Sequence, residues 1–229
     1  MTVPEAMRDR RLRRFPLRRV RVSAARATLS IVTPRFDAVI GPQAALVARG
    51  RRPMPYWAEV WPASVAIARA VMRGPDLTGQ RALDLGCGLG LPGAACAARG
   101  AAVTVADRDP EALAFAHFNA ERAGRVPAEA IPLDWHRSCA AGTYDLILLS
   151  DVAYRDEHAA PLRRHLDECL TPTGRALIAD PFRATAGRFL ASLAPEYCTE
   201  LTEEETHFDG RTTPVRVGWI TPAPASRPS

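Results

Sequence analysis

The chain contains no lysine: all 30 of its basic residues are arginine, a uniformity that fits a GC-rich coding bias. It also contains no apolar run approaching the roughly 18–20 residues that a membrane-spanning helix needs, so no membrane association is expected. The arginine-rich start is not followed by the apolar stretch of a secretory signal, and Glu5 and Asp9 argue against an organelle-targeting leader. Cysteine is scattered. Cys87, Cys96, Cys139, Cys169 and Cys198 form no C-x-x-C pair and have no clustered histidine, which reads as reduced thiols in a cytoplasmic protein without a metal site. There is no internal repeat.

What is present suits one folded domain. The 229 residues are enough to bury a large core, and 47% hydrophobic content is ordinary for a soluble globule. Charge is uneven. Nine arginines lie between Arg8 and Arg26, opposed only by Glu5 and Asp9 in residues 1–26. This basic arm reads either as a solvated, partly disordered leader or as a surface for nucleic acid or an acidic protein face. Residues 27–52 read as a hairpin and linker. The β-prone runs Leu29–Val32 and Phe36–Ile40 flank Thr33-Pro34, and the Arg51-Arg52 pair follows. Thr221–Ser229, rich in Pro, Ala and Ser, reads as a disordered tail.

Between these ends, strands and helices alternate. Strands are expected at about Arg81–Leu85, Ala102–Ala106, Val126–Pro132, Tyr144–Ser150 and Arg175–Asp180. Helices are expected from Pro62 to about Met72, then at Leu91–Arg99, Pro110–Ala123, Asp156–Leu170 and Ala184–Ala194. Continuous apolar strands separated by helices predict a parallel sheet covered on both faces. Glu196–Leu201 and Thr213–Ile220 have no long helix between them and predict an antiparallel pair at the sheet edge. The expected fold is therefore α/β: a doubly wound, Rossmann-like seven-stranded sheet, mostly parallel, with an antiparallel C-terminal strand pair.

The segment Leu83-Asp84-Leu85-Gly86-Cys87-Gly88-Leu89-Gly90 runs from a hydrophobic strand into a glycine turn and then a helix. Alternating glycines let the backbone approach a ligand, and the helix that follows aims its unpaired N–H groups at the same place. Asp107 ends the next strand, where an acid can take both hydroxyls of a ribose. Glycine turn and strand-end acid together point to an adenosine-containing cofactor. Gly88, Gly90 and Gly93 also satisfy the G-x-G-x-x-G dinucleotide spacing, which leaves a nicotinamide dinucleotide as the competing cofactor.

Asp84 before the first glycine separates the two. D-L-G-C-G-x-G resembles motif I of the class I S-adenosylmethionine (SAM) methyltransferases, whose acid lies near the methionine end of SAM. The resemblance covers roughly residues 53–220. Val103–Pro110 resembles the second strand of that family, Leu133-Asp134-Trp135 its adenine-contacting loop, and Tyr144–Asp151 its fourth strand and active-site turn. It implies that Trp61, Asp84, Gly86, Cys87, Gly88, Asp107, Arg108, Asp134, Trp135 and Ser150 face the cofactor. Pro55-Tyr56-Trp57-Ala58-Glu59-Val60-Trp61-Pro62 resembles the protein-lysine methyltransferases, and within them the branch acting on the β-subunit of electron-transfer flavoprotein. In that branch the acid and the tyrosine corresponding to Asp151 and Tyr154 sit in the substrate pocket, so these two are the candidate catalytic residues. Asp180-Pro181-Phe182-Arg183 and Arg211-Thr212-Thr213 resemble further segments of the same branch. Ser150 replaces its glycine, Ala153 its aromatic residue and Phe182 its second glycine, which alters the pocket wall and puts the same protein substrate in question.

The resemblance implies transfer of a methyl group from SAM to a nucleophile, with a protein lysine amine first in line. Trp61 would cover the sulfonium with its ring face. Asp151 would attract and orient the acceptor ammonium, Tyr154 would orient the neutral amine, and the proton would leave to water. An RNA methyltransferase using the basic arm and a small-molecule methyltransferase lidded by the hairpin are the alternatives. The N-P-P-[YF] motif of glutamine, adenine and ribosomal-protein methyltransferases is absent.

Overall fold

The structure is a computed structural model that describes residues 6–24, 27–140 and 142–224. It opens with an antiparallel hairpin, β1 (Leu17–Ala24) and β2 (Ala27–Pro34), in which Val20 faces Ile31 and Val22 faces Leu29. This corrects two expectations. The hairpin lies earlier than expected, and Phe36–Ile40 is not its second strand but a short helix, α1, followed by α2 (Ala44–Ala48). Pro34 lacks the N–H that would continue the ladder, so β2 stops there. Much of the basic arm is also packed. Leu12 is fully buried, Phe15 lies 5.5 Å from the Phe115 ring, and the Arg14 guanidinium sits 2.9 Å from Glu111. In β1 the arginines alternate with inward-facing valines, so Arg19 and Arg21 are exposed while Val20 and Val22 enter the core.

The central sheet matches the expected class. Helix α3 (Pro62–Arg73) leads into β3 (Arg81–Leu85), α4 (Leu91–Ala98), β4 (Ala102–Asp107), α5 (Pro110–Ala123) and β5 (Glu129–Pro132). Then come β6 (Tyr144–Ser150), α6 (Ala159–Cys169), β7 (Leu170–Asp180), α7 (Ala184–Ala191), β8 (Tyr197–Phe208) and β9 (Arg211–Pro222). The order is β5-β4-β3-β6-β7-β9-β8. The first five strands are mutually parallel, whereas β9 runs antiparallel to both β7 and β8. The first residues of the expected tail, Thr221 and Pro222, belong to β9; residues 225–229 lie outside the described residues, as do residues 1–5 of the arm. The outer strand β8 exposes Glu200, Glu203 and Glu205.

Alternation along each strand feeds two cores. Ala82, Val103, Val105, Leu146 and Leu148 join α3, α4, α5 and the hairpin on one face; Leu83, Leu85, Ile147 and Leu149 join α6 and α7 on the other. The order reverses direction between β3 and β6, so the carboxyl ends of β3, β4 and β6 open onto one crevice, where ligands bind in such sheets.

One buried side chain fastens the hairpin to this frame. Asn119, on α5, is fully buried. Its Oδ1 accepts from the Val32 N–H at 2.8 Å, and its Nδ2 donates to Val32 O and to Leu89 O, each at 2.9 Å. The carboxamide thus pairs with β2 as a neighbouring strand would, and holds the glycine turn at the same time. Asn119→Ala strands these buried partners at the desolvation cost of unpaired groups, so it is expected to lower unfolding free energy by about 2–4 kcal/mol. Urea denaturation checks the loss, and amide exchange at Val32 should accelerate with it.

Candidate active site

The glycine turn is shaped by backbone that side chains disfavour. Gly86, Gly88 and Gly90 have φ of 68°, 51° and 70°. A Cβ on Gly86 would overlap the Trp135 ring, and one on Gly90 would lie 2.6 Å from Ala116 Cα. The turn is pinned to β4, because Ala106 O accepts from the N–H groups of both Gly86 and Cys87 at 2.8 and 3.0 Å. Asp107 finishes the job: its Oδ2 accepts from the Gly88 N–H and its Oδ1 from the Asp109 N–H, both at 3.0 Å. Burial raises the Asp107 carboxyl above its ordinary range, offset in part by these two donors. Asp109 caps α5 through the Glu111 N–H at 2.8 Å.

Asp84 is the one cofactor-facing candidate that does not reach the cleft. It lies between Leu83 and Leu85, so its side chain turns to the opposite sheet face, beneath the first turn of α4. There Oδ2 accepts from the Gly93 N–H at 2.8 Å, while Oδ1 has no partner among the described residues. Burial pushes its carboxyl up to about 8. Asp84 holds the loop from behind.

The other candidates wall a single open cleft of about 1340 Å³: Trp61, Gly86, Cys87, Gly88, Asp107, Arg108, Asp134, Trp135, Ser150, Asp151 and Tyr154. That volume exceeds a usual small-ligand pocket and leaves room for a second reactant. The turn that carries the two candidate catalytic residues follows β6. Asp151 has φ of 51° and donates its backbone N–H to Ala179 O at 2.9 Å, which turns its side chain into the cleft. It is not a free carboxylate. Arg183 clamps it bidentately, Nε to Oδ1 at 2.5 Å and a terminal nitrogen to Oδ2 at 2.8 Å. Burial raises the Asp151 carboxyl, and Arg183 acts against that rise. Arg183 is itself placed by Asp180, whose Oδ1 accepts from its N–H at 2.8 Å while Arg216 grips the same carboxylate at 3.0 Å. The intervening Phe182 sits at φ of 59°, where its side chain is strained, and its ring lies under the Arg216 guanidinium.

Aromatic rings close this end. Tyr56 lies 6.0 Å from Trp61 and 6.4 Å from Tyr154, and Trp61 Nε1 donates to Tyr56 O at 2.8 Å. Trp57 turns the other way and stacks on Phe115 in the core. Below Tyr154, at 4.4 Å and edge-on, is His158, whose Nδ1 donates to Val152 O at 2.7 Å. Burial lowers the His158 pKa, so it is a neutral packing partner near pH 7. Trp135 lies 5.6 Å from His158. Sequence reasoning did not find His158 and gave Arg183 only as part of a segment resembling the branch, without a role; the signal for its pairing was a strand-end acid with an arginine after the next strand. Among the described residues, no group of three or more His, Cys, Asp and Glu side chains converges as a metal site would, and no helix is long and apolar enough to cross a membrane.

Comparison with known proteins places these features in a family. A family model described as lysine methyltransferase matches residues 56–194, the stretch from the aromatic turn through α7. The electron transfer flavoprotein beta subunit lysine methyltransferase of Danio rerio is 38% identical over 135 residues, covering 58% of this chain and 52% of the relative. The chain therefore spans about half the length of that relative. Protein N-lysine methyltransferase METTL21A of Danio rerio is 31% identical over 163 residues, covering 67% of this chain and 72% of the relative. Among solved structures, N-methyltransferase NodS from Bradyrhizobium japonicum, in complex with S-adenosyl-L-homocysteine, superposes with a TM-score of 0.58 over 78% of this chain and 97% of that one, at 16% identity, which shows a shared fold.

The buried acid behind the loop has a measurable signature. The unfolded chain releases the Asp84 proton near pH 4, whereas the folded chain holds it up to about 8. Folding is thus favoured at the acid side of this window and weakened as the pH rises through it, with Asp107 adding in the same sense. Asp84→Asn keeps an acceptor for the Gly93 N–H and removes the charge. It is expected to flatten the decline between pH 5 and 8 and to raise stability at pH 8 by on the order of 1–3 kcal/mol. Denaturation midpoints measured across that range check both effects.

Proposed function

Because the chain belongs to the lysine methyltransferase family, we propose that it is a SAM-dependent enzyme that methylates a lysine amine of a protein. The observation that carries this reading is that Asp107 and the Asp151–Tyr154 turn wall the same cleft, a ribose-type acid facing one reactant and an amine-orienting acid facing the other.

The residues fit SAM. The turn from Gly86 to Gly90 offers backbone with no Cβ in the way, and each Asp107 oxygen spends one lone pair on an N–H and keeps another for a ribose hydroxyl. Asp107 would hold the ribose, Gly86, Cys87 and Gly88 would pass beneath the cofactor, and Arg108, Asp134 and Trp135 would flank the adenine. Trp61 and Ser150 would border the reactive end. When bound, SAM supplies a methyl group on a cationic sulfur, open to in-line attack. The residues of this chain do the rest by position. Tyr56, Trp61 and Tyr154 form an aromatic mouth suited to a lysine stem and its charged tip. Asp151 accepts an N–H of the amine and so turns its lone pair inward, with Tyr154 completing the orientation. All five cysteines are free thiols, including the exposed Cys198, which supports a reducing compartment such as the cytoplasm.

The test is transfer of radiolabelled methyl from SAM into a lysate separated into protein, RNA and small-molecule fractions. With no lysine in the chain, label on lysine cannot arise from self-methylation. The expected result is label in protein, mapped to lysine by mass spectrometry. Label confined to RNA or small molecules would overturn the protein-lysine reading and leave methyl transfer standing. Asp107→Asn removes a charged partner of the ribose and is expected to weaken SAM affinity about 10–100-fold by calorimetry.

A further inference from the structure

A free carboxylate is a poor companion for a lysine that must react as a neutral amine. The ammonium titrates near 10.4, so about one molecule in a thousand is nucleophilic at pH 7.5. A carboxylate in contact with it raises that pKa further, by about 1–3 units, and holds the amine in its unreactive form. If Asp151 stood alone at the acceptor end, tighter binding would come at the expense of reactivity.

Asp151 does not stand alone. Both of its oxygens are taken by the Arg183 guanidinium, at 2.5 and 2.8 Å, and both residues line the cleft. The clamp is built from outside the cleft. Asp180, at the end of β7, accepts the Arg183 N–H and is in turn held by three contacts from Arg216 on β9. Each Asp151 oxygen retains a lone pair that can accept an N–H. The remaining polar neighbours do not restore a negative charge. Tyr56 and Tyr154 are phenols, with Tyr154 kept neutral by burial; Arg155 and Arg108 near Tyr154 are cationic; Asp180 is paired. Asp107 lies on the cofactor side, tied to the glycine turn.

We propose that Arg183 is a positioning residue that sets the protonation state in which the acceptor amine is held: by neutralising Asp151, it lets the carboxylate orient a neutral amine without favouring the ammonium. This rests on the protein-lysine reading above. The acceptor ammonium gives one proton to water in the open cleft. The freed lone pair then forms the N–C bond, the C–S bond breaks with its electrons remaining on sulfur, and the product leaves as a methylated ammonium. Arg183 itself donates no proton. Its charge cancels the pull that Asp151 would otherwise exert on the first one.

The experiment uses the whole chain, SAM and the lysine-containing protein labelled in the lysate experiment, with kcat and KM followed from pH 6.5 to about 11. Arg183→Met keeps an unbranched apolar stem and removes the charge. It is expected to lower KM for the acceptor several-fold at pH 7.5 and to lower kcat at least tenfold there. The apparent pKa of kcat should rise by about 1–3 units, so that kcat of the variant still climbs at pH values where that of the wild type levels off. Arg183→Lys retains the charge and should keep the wild-type pKa. Binding of S-adenosyl-L-homocysteine and thermal unfolding show whether each variant is folded. If Arg183→Met does not fold, Asp151→Asn carries the test, with KM raised and the apparent pKa unchanged or lowered. An apparent pKa left unchanged in Arg183→Met, with KM unchanged or higher, overturns the proposal. A wild-type enzyme that labels no lysine overturns the protein-lysine reading and this inference with it, whereas an unshifted apparent pKa overturns this inference alone.

Discussion

The Asn119 carboxamide joins three segments that must agree for the cleft to exist: the hairpin strand β2, the helix α5, and the glycine turn at Leu89. A side chain that mimics a strand edge is demanding. Both its donors and its acceptor are used, and all lie out of contact with water, where a missing partner is costly. From this point the rest of the crevice follows. The turn is fixed at Leu89 from one side, at Ala106 O and Asp107 from another, and by Asp84 through Gly93 from below. The crevice floor is therefore set by backbone hydrogen bonds to fixed acceptors, before any cofactor arrives.

Charge in the crevice is arranged in compensated pairs. Arg183 meets Asp151, Arg216 meets Asp180, and Arg14 meets Glu111 at the rim. Asp84, the acid most removed from water, has no cation beside it, and its carboxyl is correspondingly raised to about 8. After β6 the cleft thus presents an oriented Asp151–Arg183 pair beside three aromatic rings. Family membership specifies the lysine methyltransferase frame. Of the three replacements expected to alter the pocket wall, Ser150 lines the cleft, whereas Ala153 is buried in the core beside α6 and α7 and Phe182 packs under Arg216, away from the cleft lining.

Much of this was legible in the sequence, for a physical reason. Strands buried on both faces must be apolar along their length, and β3 and β6 have the limits their hydrophobic runs suggest. Helix α5 begins at Asp109-Pro110, a cap followed by a proline, and ends before Gly124. The misreadings have causes as definite. In β1 each buried valine is flanked by arginine, so counting charge hid a period-two pattern that was present. Asp84 was given to the cofactor by the resemblance of its motif, whereas its place between Leu83 and Leu85, which face α6 and α7, turns it to the other face beneath α4. Arg183 was matched to the branch but given no role, because its ion pair joins residues 32 apart in sequence and no local pattern encodes which acid an arginine will meet.

The last strand of the sheet carries a consequence of another kind. β8 is twelve residues long, no strand among the described residues pairs with its outer side, and Glu200, Glu203 and Glu205 stand exposed along it. A bare strand of that length is a template on which another chain can add itself, and repeated addition is how fibrils grow. A second copy laid alongside would bring its own row of carboxylates against this one, so each added rung would meet like-charge repulsion. At neutral pH the edge of the sheet is thus closed by electrostatics, and the molecule ends where its own backbone would otherwise invite continuation.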